Sequence, residues 1–170
     1  MIAFTPFGFL TILCINSLAI FFDMDVESAK KISLGKTMPN IQVVKLSGST
    51  AEIASMFNNQ PALIVFWATW CQPCRKEVPD INQLLTNYGS KGLVILGVSL
   101  GEPLNVVKAH VTQLNIAYPV VVAPSISNLA TLGIDRVPLL ILIDKDRRIV
   151  QMESSVNESL RRRINQFVAE

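Results

Sequence analysis

Metal ligands of the soft kind are scarce in this 170-residue chain, which has three cysteines and a single histidine, His110. A structural zinc site needs four ligands held together. Cys14 is stranded in an apolar N-terminal stretch, so the set left over, Cys71, Cys74 and His110, is too small. No metal and no cofactor is therefore expected. Charge is equally thin. The net charge is +2, and Lys and Arg are scattered apart from the run Arg161, Arg162 and Arg163. That leaves no basic footprint for nucleic acid, and the arginine run reads as the solvated face of a final helix. Internal repeats and low-complexity tracts are also missing.

The most conspicuous absence is at the start, where residues 1–22 carry no charged side chain. The length roughly spans a bilayer, although Pro6, Gly8, Asn16 and Ser17 dilute its apolarity. Three readings compete: an uncleaved anchor, a signal peptide cut after Ser17–Ala19, or a lipoprotein signal ending at Cys14. Leu13 stands before Cys14 where the last reading wants a small residue. A secretory signal also opens on Lys or Arg, which this segment lacks. Lys30, Lys31 and Lys36 follow it, and by the positive-inside rule they favour a domain facing the cytoplasm. A buried helix of the fold itself is the bland alternative. Residues 23–36 turn polar and read as a linker, leaving 37–170 as one domain, large enough to bury a core without staples.

Half of the residues are hydrophobic, and their patterning is α/β. "IQVVKLSGSTAEI" predicts a strand, a turn at Ser47–Ser49 and a short second element. "ALIVFWA" (62–68) and "LVILGVSL" (93–100) are continuous apolar runs, as strands covered on both faces require. Between them Val78, Ile81, Leu84, Leu85 and Tyr88 recur at helical spacing from Pro73 on, with Pro79 expected to kink the helix near its second turn. Leu104, Val107, Val111 and Leu114 mark another helix, "YPVVVA" a strand and "SISNLATLG" a short helix. "PLLILID" and "RIVQM" should form an antiparallel hairpin. A last helix is expected near Ser155, with Glu158 completing a capping box. The sum is a mixed central sheet with helices on both faces.

Cys71 and Cys74 lie where a buried strand gives way to a helix, in "WATWCQPCRKEVP" (67–79). Covalent c-type haem attachment needs His after the second cysteine, and Arg75 stands there. A structural staple over so short a loop removes little chain entropy. Redox chemistry remains, and the physics favours it. Unpaired N–H groups and the positive dipole end at the helix start stabilise a thiolate at Cys71. Pro73 wastes no N–H in the first turn. The spacing lets the sulfurs join and part without moving the fold. Cys71 should attack and Cys74, one turn in, should resolve.

"VFWATWCQPCRKEVP" together with "DRVPLLILIDKDRRIV" resembles the thioredoxin fold, and more closely the TlpA/ResA-type thiol–disulfide oxidoreductases. The resemblance runs from about Gly35 to Val168. "GKTMPNIQVVKLSGST" looks like that family's added N-terminal hairpin, and Gly101 to Ser127 like its central strand–helix insertion. The resemblance implies that Pro138 is the family's cis-proline facing the disulfide, and that Val137 offers backbone hydrogen bonds to an extended partner segment. It makes Trp70 the aromatic rim of a partner groove, against plain packing; Trp67 is expected in the core. Glu77 matches an acidic residue near the active site, able to raise a thiol pKa or relay its proton; the bland alternative is an acid complementing the helix dipole. Thioredoxins use a buried Asp on the preceding strand, where this chain has Val65. His110 is expected on the surface. The family's usual Gly is missing from the hairpin turn at Lys145 to Arg148.

By resemblance the chain exchanges thiols and disulfides with partner proteins and is re-reduced by an upstream electron-donor protein. It is expected to be a monomer, anchored through residues 1–22, with its domain in the periplasm or another extracytoplasmic space. Reduction, as in cytochrome c maturation, is the favoured direction. Disulfide donation by the same residues is an alternative. A peroxiredoxin-like thiol peroxidase needs Pro-x-x-x-Thr-x-x-Cys, but Ile64 and Ala68 hold the proline and threonine positions. A purely binding descendant of the fold has no need of two intact cysteines.

Overall fold

The computed structural model describes residues 31–168. The expected anchor, Cys14 and most of the expected linker lie outside them. Seven strands form one sheet in the order β2-β1-β5-β4-β3-β6-β7. The strands are β1 (Gln42–Lys45), β2 (Thr50–Glu52), β3 (Ala62–Trp67), β4 (Val94–Ser99), β5 (Val120–Val122), β6 (Leu139–Ile143) and β7 (Ile149–Glu153). The helices are α1 (Gln72–Tyr88), α2 (Leu104–Gln113), α3 (Ile126–Thr131) and α4 (Glu158–Val168). This is the mixed α/β sheet expected of the thioredoxin fold, with the N-terminal hairpin and the inserted helix and strand in place.

The centre of the sheet follows from the apolar runs. β3 is buried at all six positions. Leu63, Val65 and Trp67 face one layer with α1, α4 and Val107 of α2; Ala62, Ile64 and Phe66 face the other with α3 and the N-terminal hairpin. The two-residue period of a strand thus serves two cores at once. β3 pairs in parallel with β4 and antiparallel with β6. The pairing sets Trp67 opposite Ser99, so the chain leaves β3 and β4 side by side at the same end of the sheet. Trp67 itself is 2% exposed, with its indole N–H unpartnered among the described residues.

Several expectations need adjusting. Residues 32–36, placed in the linker, are bonded into the domain: Ile32 N–H donates to Leu132 O and Gly35 N–H to Ile149 O. Pro79 lies inside α1, which continues as one helix on both sides of it, a continuity compatible with the expected kink; the packing of Val78, Ile81 and Leu84 on both sides of the proline offsets the lost backbone bond. The final helix begins at Glu158, not near Ser155. Asn157 caps it, its side-chain oxygen accepting the Leu160 N–H at 2.8 Å, so the Ser155–Glu158 capping box does not form. In the β6–β7 hairpin Arg147 adopts the left-handed conformation (φ 62) that a glycine would take without cost. Asp144 Oδ1 steadies that turn by accepting the N–H groups of Asp146 and Arg148.

Candidate active site

Cys71 is the N-cap of α1. Its backbone is extended (φ −80, ψ 98), and its sulfur accepts the Cys74 N–H at 3.2 Å, where Ser or Asp oxygen caps most helices. Pro73 occupies the first turn, where a missing N–H leaves nothing unpaired. Cys71 and Cys74 are joined by a disulfide with their Cα atoms 5.3 Å apart. Both residues are 4% exposed and belong to the core layer that α1 and α4 cover. Trp70, the residue before Cys71, is 66% exposed. A closed redox pair therefore sits against the core with one large aromatic standing free beside it.

The remaining expected site residues divide. The Val137–Pro138 peptide bond is cis, and the half-buried Val137 packs against the layer that contains both cysteines. Glu77 lies one turn beyond Cys74 on α1, half-buried, and its Oε2 accepts the Val156 N–H at 2.6 Å. That contact ties α1 to the segment leading into α4. Val65 is buried in β3, so an apolar side chain fills the strand position where thioredoxins place an acid. His110 is half-buried on α2, its Nδ1 3.0 Å from Val106 O.

Sequence reasoning missed Glu102. This residue follows β4, and its carboxylate accepts the Thr69 N–H, the Thr69 hydroxyl and the Ser99 hydroxyl. Arg75 belongs to the same cluster: its Nε and Nη2 donate to Thr69 O at 3.1 and 2.7 Å. The usable signal was topological. Once β3 and β4 are taken as parallel neighbours, "ATW" and "LGEP" must emerge together, and a lone Glu there faces the loop before the cysteines.

A mixed sheet with a disulfide at the N-terminus of the helix that follows its central strand defines a thiol–disulfide oxidoreductase of the thioredoxin fold. The chain belongs to the Redoxin family, whose model matches residues 33–166. It is similar to the thiol-disulfide oxidoreductase ResA of Bacillus cereus, at 34% identity over 122 residues, covering 72% of this chain and 70% of the relative. ResA of Geobacillus thermodenitrificans is 29% identical over 69% of this chain and 67% of its own. Among solved structures, the thioredoxin domain of a thiol-disulfide oxidoreductase from Bacteroides vulgatus superposes with a TM-score of 0.72 at 25% identity, covering 81% of this chain and 99% of that domain. A thiol:disulfide interchange protein from Bacteroides sp. shares the fold at a TM-score of 0.71 and 24% identity, over 82% and 92% of the two chains.

Proposed function

We propose that this oxidoreductase works as an exported reductant of protein disulfides, with Cys71 as nucleophile and Cys74 as resolving thiol. The observation that carries the reading is the position of the pair: Cys71 caps α1, where backbone N–H groups stabilise a thiolate, and exposed Trp70 flanks it. In the reduced enzyme the Cys71 thiolate attacks one sulfur of a partner disulfide and expels the other as a thiolate. Cys74, losing its proton, then attacks Cys71 in the mixed disulfide. The partner leaves as a dithiol, having gained two electrons, and Cys71–Cys74 is left oxidised. An electron-donor protein of the dithiol class closes the cycle. Glu77, on the same side of α1 as Cys74, is assigned the Cys74 proton. Val137, Pro138 and Trp70 are assigned the docking of an extended partner segment.

Export rests on the uncharged residues 1–22, read as a membrane anchor. Among the described residues no helix is long and apolar enough to cross a membrane. Cytochrome c maturation is the client process that the family resemblance favours, with apoprotein cysteines as the disulfide to be reduced.

The test combines two measurements. Cys74→Ser should accumulate a mixed disulfide with its partner, resolved by added thiol, while Cys71→Ser traps nothing. An equilibrium redox titration of the wild type then sets direction. Thioredoxin-fold potentials run from about −270 to −120 mV. A value near the lower end supports the reductant; one near the upper end reverses the arrow to disulfide donation. Absence of any trapped species would sink the exchange mechanism.

A further inference from the structure

Thr69 stands two residues before Cys71 in the connection from β3 to α1, and every polar atom it has is engaged. Its N–H donates to both carboxylate oxygens of Glu102, at 3.2 and 2.9 Å, and its hydroxyl donates to the same group. Its carbonyl accepts two bonds from Arg75. Glu102 Oε2 also accepts the hydroxyl of Ser99, which is fully buried at 0% exposure. Three donors therefore converge on one carboxylate from two neighbouring strand ends.

Stability alone is a poor account of this arrangement. Bringing a carboxylate to a half-buried position carries a desolvation cost, and apolar side chains of like volume close such gaps at least as well. The contacts instead fix one particular residue. Glu102 ties Thr69 to the end of β4, while Arg75 ties it to the helix that bears Cys74. The loop presenting Glu102 is itself tightly seated. At Gly101 (φ +64) a Cβ would lie 3.1 Å from Ile126 N and 3.2 Å from Ser125 Cα, so the chain approaches the start of α3 as only glycine allows. Beyond Thr69 the chain passes straight to Trp70, two-thirds exposed and without such restraint, and then to Cys71.

We propose that Glu102 is a positioning residue of the redox loop: with Arg75 it clamps Thr69, and so holds Trp70 and Cys71 in place for an incoming protein disulfide. This assignment rests on the exchange function proposed above, and it extends it to residues remote in sequence from the cysteine motif. Glu102 touches neither sulfur nor partner; it acts through Thr69.

The experiment compares Glu102→Ala, Glu102→Gln and Thr69→Val with the wild type, all in the full-length chain. Insulin is the disulfide substrate and dithiothreitol the electron source. Acrylamide quenching of tryptophan fluorescence in the oxidised form reports the loop, because Trp67 is buried and Trp70 is exposed. Glu102→Ala should lower kcat/KM about tenfold through loss of reactive geometry and increase the quenching. Glu102→Gln should recover most of both, since its amide oxygen in the place of Oε2 still accepts the Thr69 N–H and the Ser99 hydroxyl, and the Thr69 hydroxyl can turn to accept from its NH2 in the place of Oε1. Thr69→Val keeps the backbone donor and should fall between. A folded Glu102→Ala protein with wild-type kcat/KM and quenching overturns the clamp. If that variant does not fold, a Thr69→Val protein indistinguishable from wild type overturns it equally. Quenching needs no turnover, so it judges the clamp even where a wild type inactive on any disulfide has sunk the functional reading instead.

Discussion

Glu77 offers the sharpest separation of two roles that one carboxylate can hold. Its Oε2 accepts the Val156 N–H at 2.6 Å, across 79 residues of sequence. A hydrogen bond to a charged group contributes about 1.5–3 kcal/mol net. Glu77 is only half-buried, so water takes over part of that bond when the side chain is lost, and the lower end applies. Glu77→Ala should therefore cost about 1.5 kcal/mol, a fall of about 5 °C in Tm for a domain of this size. Glu77→Gln retains a neutral acceptor, worth about 1 kcal/mol, and should cost only about 0.5 kcal/mol. Urea unfolding of the oxidised protein, followed by far-ultraviolet circular dichroism, measures both. Equal losses in the two variants, or none in either, would refute the hydrogen-bond reasoning. The proton-relay role is read separately, from the pH dependence of insulin reduction. If Glu77→Gln leaves that profile unmoved while Glu77→Ala destabilises as expected, Glu77 is a tie between α1 and the segment leading into α4 and nothing more.

Two other outcomes follow from the packing. Burial pushes the Tyr118 phenol well above its ordinary value. Its folded pKa exceeds the unfolded value of about 10, so the folded state binds the proton more tightly and this contribution is complete below that pH. Stability should fall as pH rises beyond about 10, and Tyr118→Phe should flatten the alkaline limb in urea titrations across pH; an unchanged limb would rule Tyr118 out as its source. At the last helix, Asn157→Ala should cost about 1 kcal/mol through loss of the cap, with Ser155→Ala nearly neutral. The reverse ranking in thermal melts would restore the capping box read from sequence.

Where the sequence was legible, one local signal pointed one way. The apolar runs of β3 and β4 are covered on both faces, and nothing else in a chain this size tolerates six consecutive buried residues at strand length. The cysteine pair was legible because spacing, the following Pro73 and the strand before it agree on one place, a helix N-terminus. The cap of α4 was misread because Ser155, Asn157 and Glu158 are all competent capping residues, and the choice is made by where β7 ends and the Glu77 contact holds Val156. Glu102 was invisible for a different reason. Its partners Thr69 and Ser99 come from two strands whose adjacency is a property of the sheet, and no window of sequence contains all three. Arg147 shows the converse, a glycine-like conformation met by a residue that carries no mark of it.

The contrast between a sulfur pair only 4% exposed and a freely projecting Trp70 also bears on what the oxidised protein equilibrates with. Exchange requires an attacking sulfur to line up with the bond it breaks. With the docking proposed for Trp70, Val137 and Pro138, a recessed disulfide meets that alignment more readily in a seated segment than in a thiol arriving from bulk solution. The pair then behaves like a shielded contact in a socket, conducting best when the matching plug is inserted. Under the proposed function, its redox state follows the proteins that dock on it faster than it follows the small-molecule thiols around it.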